Sequence, residues 1–238
     1  MSGNERTVLL KLDEVSLSYR SKRSSFEHGQ HKVLDRVSLE LYQGETLGII
    51  GRNGVGKTTM LQLMAGILAP TEGRVWQKPG KSSSLLSLGL GFKPDISGRD
   101  NAFLAAMLQG STQTQAKSYL EDIKAFAELG DSFEEPVKTY SAGMRARLGF
   151  TTALKTHVDI LLIDEVLSVG DAQFRAKAER AMKERIGGEQ TVVFVSHMEA
   201  QVKQLCGRVI WINDARVAAE GEPLTVLESY RNSMSSKK

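Results

Sequence analysis

The stretch "GIIGRNGVGKTTML" (residues 48–61) constrains the fold more than any other part of the chain. It contains the pattern G-x-x-x-x-G-K-T, formed by Gly51, Gly56, Lys57 and Thr58. The pattern follows an apolar run and opens a helical one, which is the context that a phosphate-binding loop requires. Glycines let backbone N–H groups turn toward phosphate oxygens, and the helix adds its positive N-terminal end. We therefore expect Lys57 to reach the terminal phosphates of a nucleotide and Thr58 to bind Mg²⁺.

Hydrophobic patterns along the rest of the chain predict an α/β fold. Helical periodicity predicts helices at residues 100–109, 114–129, 141–155 and 172–185, and one more after the last strand. Short apolar or alternating runs predict strands at residues 8–12, 15–19, 37–41, 46–50, 160–163, 191–195 and 209–212. Strands that alternate with helices form an α/β sheet, whereas the helices between about residues 92 and 155 predict a separate lobe. The polar stretch 21–32 predicts an exposed loop.

Two carboxylates follow one of the apolar strands. The stretch "DILLIDE" ends in Asp164 and Glu165, at the carboxyl end of a predicted strand. Ligands of open α/β sheets bind at such ends. Asp164 is predicted to hold Mg²⁺ through water, and Glu165 to polarise an attacking water as a general base.

A histidine follows another buried strand. The stretch "TVVFVSHM" places His197 just after a predicted strand end. A single histidine is more often structural than a ligand, but this position favours a contact to the γ-phosphate.

Composition limits the class of protein. The chain has 41% hydrophobic and 25% charged residues, which are ordinary globular values. Its net charge of +3 is too small to argue for nucleic-acid binding. The lone cysteine, Cys206, cannot form an intramolecular disulfide, which favours a reducing compartment.

These motifs, in this order and with "YSAGM" (residues 140–144) between them, resemble the nucleotide-binding subunit of ABC transporters. The resemblance implies an α/β fold: a P-loop NTPase core with an antiparallel β portion and an inserted helical subdomain. It implies a single domain over residues 1–238, with the core at about 1–88 and 158–238 and the helical subdomain at about 89–157. It also implies ATP hydrolysis with ATP and Mg²⁺ bound.

The segment "YSAGM" stands where that family carries its signature. The resemblance implies that Ser141 and Gly143 bind the γ-phosphate of ATP held by the other subunit of a homodimer. Asp171 matches a loop that touches the partner subunit. A second reading is compatible with the first: Ser141 is a good N-cap for an amphipathic helix.

The resemblance extends to the rest of the ATP site. Asn53, Gly54 and Thr59 match the remaining binding positions of the phosphate loop. Tyr19 resembles the aromatic residue that stacks on adenine, with Phe26 or His28 as alternatives.

One departure points to a subfamily. The stretch "SLLSLGLGFKPDISGRDN" (residues 84–101) lacks the glutamine that the family usually has there. With "DEVLSVGDAQFRAK", it resembles exporters of lipid-linked polysaccharides: O-antigen, capsule or teichoic acid. This implies a separate ABC-2-type permease, a lipid-linked glycan as cargo, no nucleic acid, and a peripheral position at the cytoplasmic face of the inner membrane. The alternatives are an exporter of drugs, peptides or lipids, and a soluble ABC ATPase acting on DNA or ribosomes.

Two further expectations concern partners. The segment after the last strand predicts one helix and no appended carbohydrate-binding domain. Residues 88–95 are predicted to help dock a cytoplasmic helix of the permease through Leu88, Leu90 and Phe92. The alternative is that these apolar side chains belong to the protein's own core.

Overall fold

The computed structural model describes residues 6–20, 30–86, 91–164, 170–186, 188 and 190–235. Its contacts divide the chain into two compact units. The first unit comprises Met1–Lys81 with Ile186–Lys238, and the second comprises Ser82–Arg185. The predicted bounds of the helical subdomain, about residues 89–157, stay a prediction.

The elements follow one another in this order: β1 (Val8–Arg20), β2 (Gln30–Tyr42), β3 (Thr46–Ile50), α1 (Lys57–Met64), β4 (Glu72–Gln77), β5 (Ser83–Leu86), α2 (Gly98–Leu108), α3 (Gln113–Ala127), α4 (Ala142–Lys155), β6 (Ile160–Asp164), α5 (Ala172–Ile186), β7 (Thr191–Val195), α6 (Glu199–Leu205), β8 (Arg208–Asn213), β9 (Arg216–Gly221) and α7 (Pro223–Ser235). Two 3₁₀ turns, Gly130–Glu134 and Val137–Thr139, precede α4. Within the described ranges, no helix has the length and apolar character needed to cross a membrane.

The first unit contains an antiparallel sheet in the order β2-β1-β4. The two strands predicted at 8–12 and 15–19 are one strand, β1, whose register shifts near Glu14, a residue with φ of 51°. Residues 30–32 were predicted as loop but belong to β2, because His31 pairs with Tyr19 and Lys32 with Ser18. The cross-strand ladder thus overrides the polar composition of this stretch.

The first unit also contains parallel strands. β3 pairs with β7 on one side and β8 on the other, and β9 adds antiparallel to β8. Every residue of β3 and β7 is buried, as expected for strands covered on both faces. Because Ile49 pairs with Val195, the carboxyl ends of β3 and β7 lie at one edge.

The second unit combines the parallel pair β5–β6 with helices α2, α3 and α4. All three helices begin at a side-chain cap: Ser97 accepts from the Asp100 N–H, Thr112 forms a capping box with Gln115, and Ser141 accepts from the Met144 N–H. The predicted N-cap at Ser141 is confirmed. The helices enclose a core cluster formed by Ala102, Leu120, Ile123, Ala127, Leu129, Phe133, Val137, Tyr140 and Leu148.

Phe92 packs on this cluster and is partly buried. This contact favours the core alternative for Phe92 over the predicted docking role. Leu88 and Leu90, which belong to the same prediction, lie outside the described residues.

We expect Phe92→Ala to lower the free energy of unfolding by about 1–3 kcal/mol, because a partly buried ring loses its apolar contacts. Chemical denaturation of the purified protein measures this. Leu108→Ala is the control: Leu108 is 89% exposed, so its truncation should change stability by no more than about 0.5 kcal/mol. An unchanged unfolding midpoint for Phe92→Ala would contradict the core role and favour the predicted surface role of Phe92.

Candidate functional site

The phosphate-binding loop follows β3 and lies close to the backbone of β8 at one end and of β2 at the other. Gly51 has φ of 153°, and a Cβ there would lie 2.5 Å from the carbonyl oxygen of Ile212, in β8. Gly56 has φ of 104°, and a Cβ there would lie 2.8 Å from the carbonyl oxygen of Val33, in β2. Both positions therefore require glycine for conformation and for space.

Helix α1 begins directly at the loop. Its N-cap is Gly56, which provides no side-chain cap, so the first N–H groups of the helix face the loop. Lys57 is 7% exposed, and its Nζ donates to the carbonyl oxygens of Gly51 at 2.8 Å and Arg52 at 2.9 Å. The ammonium group therefore lies inside the loop. The other predicted binding residues of the loop and of the first turn of α1 are exposed or half-buried: Asn53, Gly54, Thr58 and Thr59.

His197 follows β7 at the same edge of the sheet as the loop, because β3 and β7 pair in register. Its side chain is exposed. The preceding Ser196 fixes the turn: its Oγ accepts from the Met198 N–H and donates to Gln201 Oε1, both at 3.1 Å. The histidine is thus presented to solvent from a fixed backbone.

A pocket of about 520 Å³ adjoins the loop in the first unit. Its wall is formed by His31, Lys32, Val33, Asp35, Gly54, Val55, Asp214, Ala215 and Arg216. Among the described residues, the wall includes His31 rather than its cross-strand neighbour Tyr19, which is 46% exposed. The alternatives to Tyr19, Phe26 and His28, lie outside the described residues.

Asp35 joins the two sides of this pocket. Its carboxylate accepts from Lys32 Nζ at 2.8 Å and from Arg216 Nε at 2.7 Å. These two hydrogen bonds lower the pKa of Asp35 to about 2. Its backbone N–H also donates to the carbonyl oxygen of Ala215 at 2.9 Å. Sequence reasoning missed this cluster, because its members come from two strands far apart in the chain and form no motif.

The second unit carries the remaining predicted residues. Asp164 ends β6 and is half-buried, and Glu165 lies outside the described residues. Asp171 Oδ1 accepts from the Phe174 N–H at 2.9 Å and so caps the first turn of α5. This carboxylate thus has a structural role, and its contact with a partner subunit stays a prediction.

The start of α4 is open to solvent. Ser141 and Gly143 are both exposed, and a Cβ on Gly143 would meet nothing nearer than Ser141 Oγ at 3.8 Å. Packing therefore gives no reason for glycine inside this helix, where it lowers stability. Ser141 Oγ accepts from the Met144 N–H, and this leaves the hydroxyl proton to donate elsewhere. A glycine without a packing reason, beside a hydroxyl donor at a helix N-terminus, fits an approaching anion.

Each unit thus holds part of the predicted site. The first unit brings together the phosphate-binding loop, His197 and the pocket wall. The second unit holds Asp164, Asp171 and the start of α4.

Comparisons with known proteins agree with these motifs. The family model described as "ABC transporter" matches residues 34–168. The chain is 40% identical over 205 residues to the O-antigen export system ATP-binding protein RfbB of Klebsiella pneumoniae, covering 86% of this chain and 83% of that protein. It is also 40% identical over 198 residues to the Teichoic acids export ATP-binding protein TagH of Listeria innocua, covering 83% of this chain and 58% of that protein.

A solved structure shows the same fold. The ATP-binding cassette MJ0796, in a dimeric post-hydrolysis state bound to ADP and Pi, matches with a TM-score of 0.72 and 21% identity, over 90% of this chain and 99% of that one. The predicted ABC ATPase fold is confirmed. The family model covers more than half of the chain, including the phosphate-binding loop and residues 140–144. The chain therefore belongs to the ABC transporter family.

Proposed function

We propose that this chain hydrolyses ATP to drive the export of a lipid-linked polysaccharide, such as O-antigen, capsule or teichoic acid, through a separate permease. The observation that carries the proposal is the complete phosphate-binding loop, with Lys57 inside it, in a chain 40% identical to an O-antigen export ATP-binding protein. The second relative is likewise an export ATP-binding protein, for teichoic acids. In this proposal the chain is peripheral, at the cytoplasmic face of the inner membrane.

Each predicted site residue has a separate role in the proposed hydrolysis. Lys57 and the N–H groups of the loop bind the phosphates, and His197 contacts the γ-phosphate. Glu165 takes a proton from the attacking water, a role that contributes about 10²–10⁴-fold in rate. Mg²⁺ neutralises phosphate charge when bound, and the oxygen groups of Thr58 and Asp164 are ligands that it prefers.

The start of α4 acts on a nucleotide held by a second copy of the chain. Each chain has one phosphate-binding loop and one exposed, glycine-containing start of α4, so two chains complete two sites. The Ser141 hydroxyl and the Gly143 backbone then contact the partner's γ-phosphate. Asp171, besides capping α5, contacts the partner subunit.

We expect Lys57→Ala to abolish ATP binding, and Ser141→Ala to keep binding but lower turnover. Lys57 contacts ATP in its own chain, whereas Ser141 acts only after two chains meet. A hydrogen bond to a charged group contributes about 1.5–3 kcal/mol, so turnover of Ser141→Ala should fall about ten- to hundred-fold. Nucleotide-binding titrations and steady-state ATPase assays measure the two effects.

Mixing the two variants makes this test sharper. A mixed dimer contains one site with both changes and one site with neither, so mixing should restore activity that each variant lacks alone. Thr112→Ala is the matched control, because it removes a comparable cap from α3 without touching the site. No recovery on mixing, or equal loss of ATP binding in both variants, would rule out the split site.

We also propose that the adenine base lies in the pocket beside the loop and stacks on His31, with Tyr19, its cross-strand neighbour outside the wall, as the alternative. The pocket borders Gly54 and Val55, so a nucleotide with its phosphates in the loop reaches it without crossing another element. The Asp35 cluster keeps the wall in place.

We expect His31→Ala to weaken ATP binding at least as much as Tyr19→Ala does. Stacking of a base on a ring contributes about 1–3 kcal/mol, so the loss should be about five- to hundred-fold. His31→Phe, which keeps a ring, should retain most of the affinity. Titrations with ATP and with inorganic triphosphate separate the base from the phosphates, since only the affinity for ATP should change. If Tyr19→Ala alone weakens binding, the base stacks on Tyr19 and not on His31.

The permease partner, of the ABC-2 type, is proposed to dock on α2. Three apolar residues on this helix are exposed at helical spacing: Leu104 by 39%, Met107 by 38% and Leu108 by 89%. Burial of one such side chain contributes about 1.5–3 kcal/mol, enough to support a small contact with a cytoplasmic helix of the permease. We propose this surface of α2 as the docking site in place of Phe92, because Phe92 packs on the core cluster of the second unit.

We expect the double variant Met107→Ser with Leu108→Ser to copurify less with its co-expressed permease and to export less glycan. The ATPase activity of isolated dimers should be unchanged, because these residues touch no nucleotide. Ile67→Ser is the matched control, since Ile67 is an apolar residue of the first unit with 61% exposure. Normal copurification of the double variant would exclude α2 as the docking surface.

A further inference from the structure

The loop that precedes α2 runs beside the segment that precedes α4. The backbone N–H of Val137 donates to the carbonyl oxygen of Ile96 at 3.0 Å. The N–H of Lys138 donates to the carbonyl oxygen of Pro94 at 2.8 Å. Residues 94–96 and 137–138 are therefore tied by backbone hydrogen bonds although they are far apart in sequence.

A buried asparagine fixes the same loop to α2. Asn101 is 3% exposed, and its Oδ1 accepts from the Lys93 N–H at 2.7 Å. Its Nδ2 donates to the carbonyl oxygens of Lys93 at 3.0 Å and Ser97 at 2.9 Å. Both ends of the loop are thus held by one side chain, and the loop moves with the first turn of α2.

Gly98, the first residue of α2, is in close contact with Tyr140. A Cβ at Gly98 would overlap the Tyr140 hydroxyl oxygen and lie 3.1 Å from the Tyr140 Cζ. Gly98 lies in a helical turn and is not among the residues with positive φ, so its backbone does not require glycine. Tyr140 is 3% exposed, and its hydroxyl donates to the carbonyl oxygen of Ser132. The tyrosine hydroxyl is therefore the atom that most restricts a side chain at Gly98, and the carbonyl oxygen of Phe133, at 3.1 Å from the same Cβ, adds to the restriction.

Tyr140 is joined directly to the start of α4. It precedes Ser141, the N-cap, and its carbonyl oxygen accepts from Arg145 Nη1 at 2.6 Å. Arg145 lies in the first turn of the same helix. A displacement of Tyr140 consequently moves the segment that carries the Ser141 hydroxyl and the Gly143 backbone.

We propose that Gly98 and Tyr140 form an interlock that positions the start of α4 for catalysis, with Tyr140 as a positioning residue. This inference rests on the proposed role of Ser141 and Gly143 in ATP hydrolysis. The loop before α2 fixes the position of Gly98, and Gly98 fixes the position of the Tyr140 ring. Tyr140 in turn fixes the position of Ser141. The site at the start of α4 is then coupled to the loop at residues 91–97.

A double-mutant cycle tests the interlock in the full-length protein. In Gly98→Ala the new methyl group pushes the tyrosine hydroxyl away, so kcat should fall on the order of 10²-fold, as misplacement by about 1 Å can cause. The Kd for ATP should stay within about twofold, because the phosphate-binding loop is untouched. Tyr140→Phe keeps the ring but loses the hydrogen bond to the Ser132 carbonyl oxygen, so its kcat should fall, by less than that of Gly98→Ala. Combining both changes removes the clashing oxygen, so the kcat of the double variant should return to about that of Tyr140→Phe, whereas independent effects would place it below both single variants.

The NMR resonance of the Gly143 backbone amide provides a readout that does not depend on activity. It should shift in Gly98→Ala and return in the double variant, while the amide of Gly66, an exposed glycine of the first unit, stays in place. Additive losses of kcat without rescue, or a Gly143 resonance unaffected by Gly98→Ala, would overturn the interlock. A parent protein without ATPase activity would instead contradict the proposed function, and the Gly143 resonances would still decide on the interlock.

Discussion

Two carbonyl oxygens, of Val33 and Ile212, determine where the phosphate-binding loop can lie. Each is so close to a loop glycine that a Cβ could not be accommodated without moving backbone. The loop is therefore shaped by the two flanking strands before any phosphate arrives, and such preorganisation reduces the entropy lost on binding. Asp35 also lies on β2, and its partner Arg216 lies on β9, which pairs with β8, so the pocket wall and the loop depend on one arrangement of β2, β8 and β9.

The sequence predicted best those parts whose structure is decided locally. The strand–loop–helix around Lys57 and the helix that begins after Ser141 both form where predicted, because a glycine pattern, a capping serine and helical periodicity act within a few residues. β1 was predicted as two strands, since its alternation breaks at the register shift near Glu14. Pairing with β2 and β4 on both sides keeps the strand continuous through that irregularity.

Features that depend on distant partners could not be read from the sequence. β4 and β9 were missed, because each is a short strand that is exposed over much of its length and is specified by its neighbour. Gly98 is an unfavourable residue for a helix when considered alone, and it is explained by its close contacts with the Tyr140 hydroxyl and the Phe133 carbonyl oxygen. His31 lay in a stretch predicted as loop, so its place in the pocket wall emerged only from its pairing with Tyr19.

The N-termini of α1 and α4 both attract anions, but they differ in solvent exposure. α1 begins behind an enclosing glycine loop with Lys57 buried inside it, so an anion there loses water and interacts strongly with both. The start of α4 is exposed, and an exposed helix end attracts an anion by only about 0.3–1 kcal/mol. We infer that the start of α4 contributes to catalysis only when a second surface excludes water from it. In the proposed split site, this difference in exposure accounts for a loop that binds nucleotide within one chain and for a start of α4 that needs a partner.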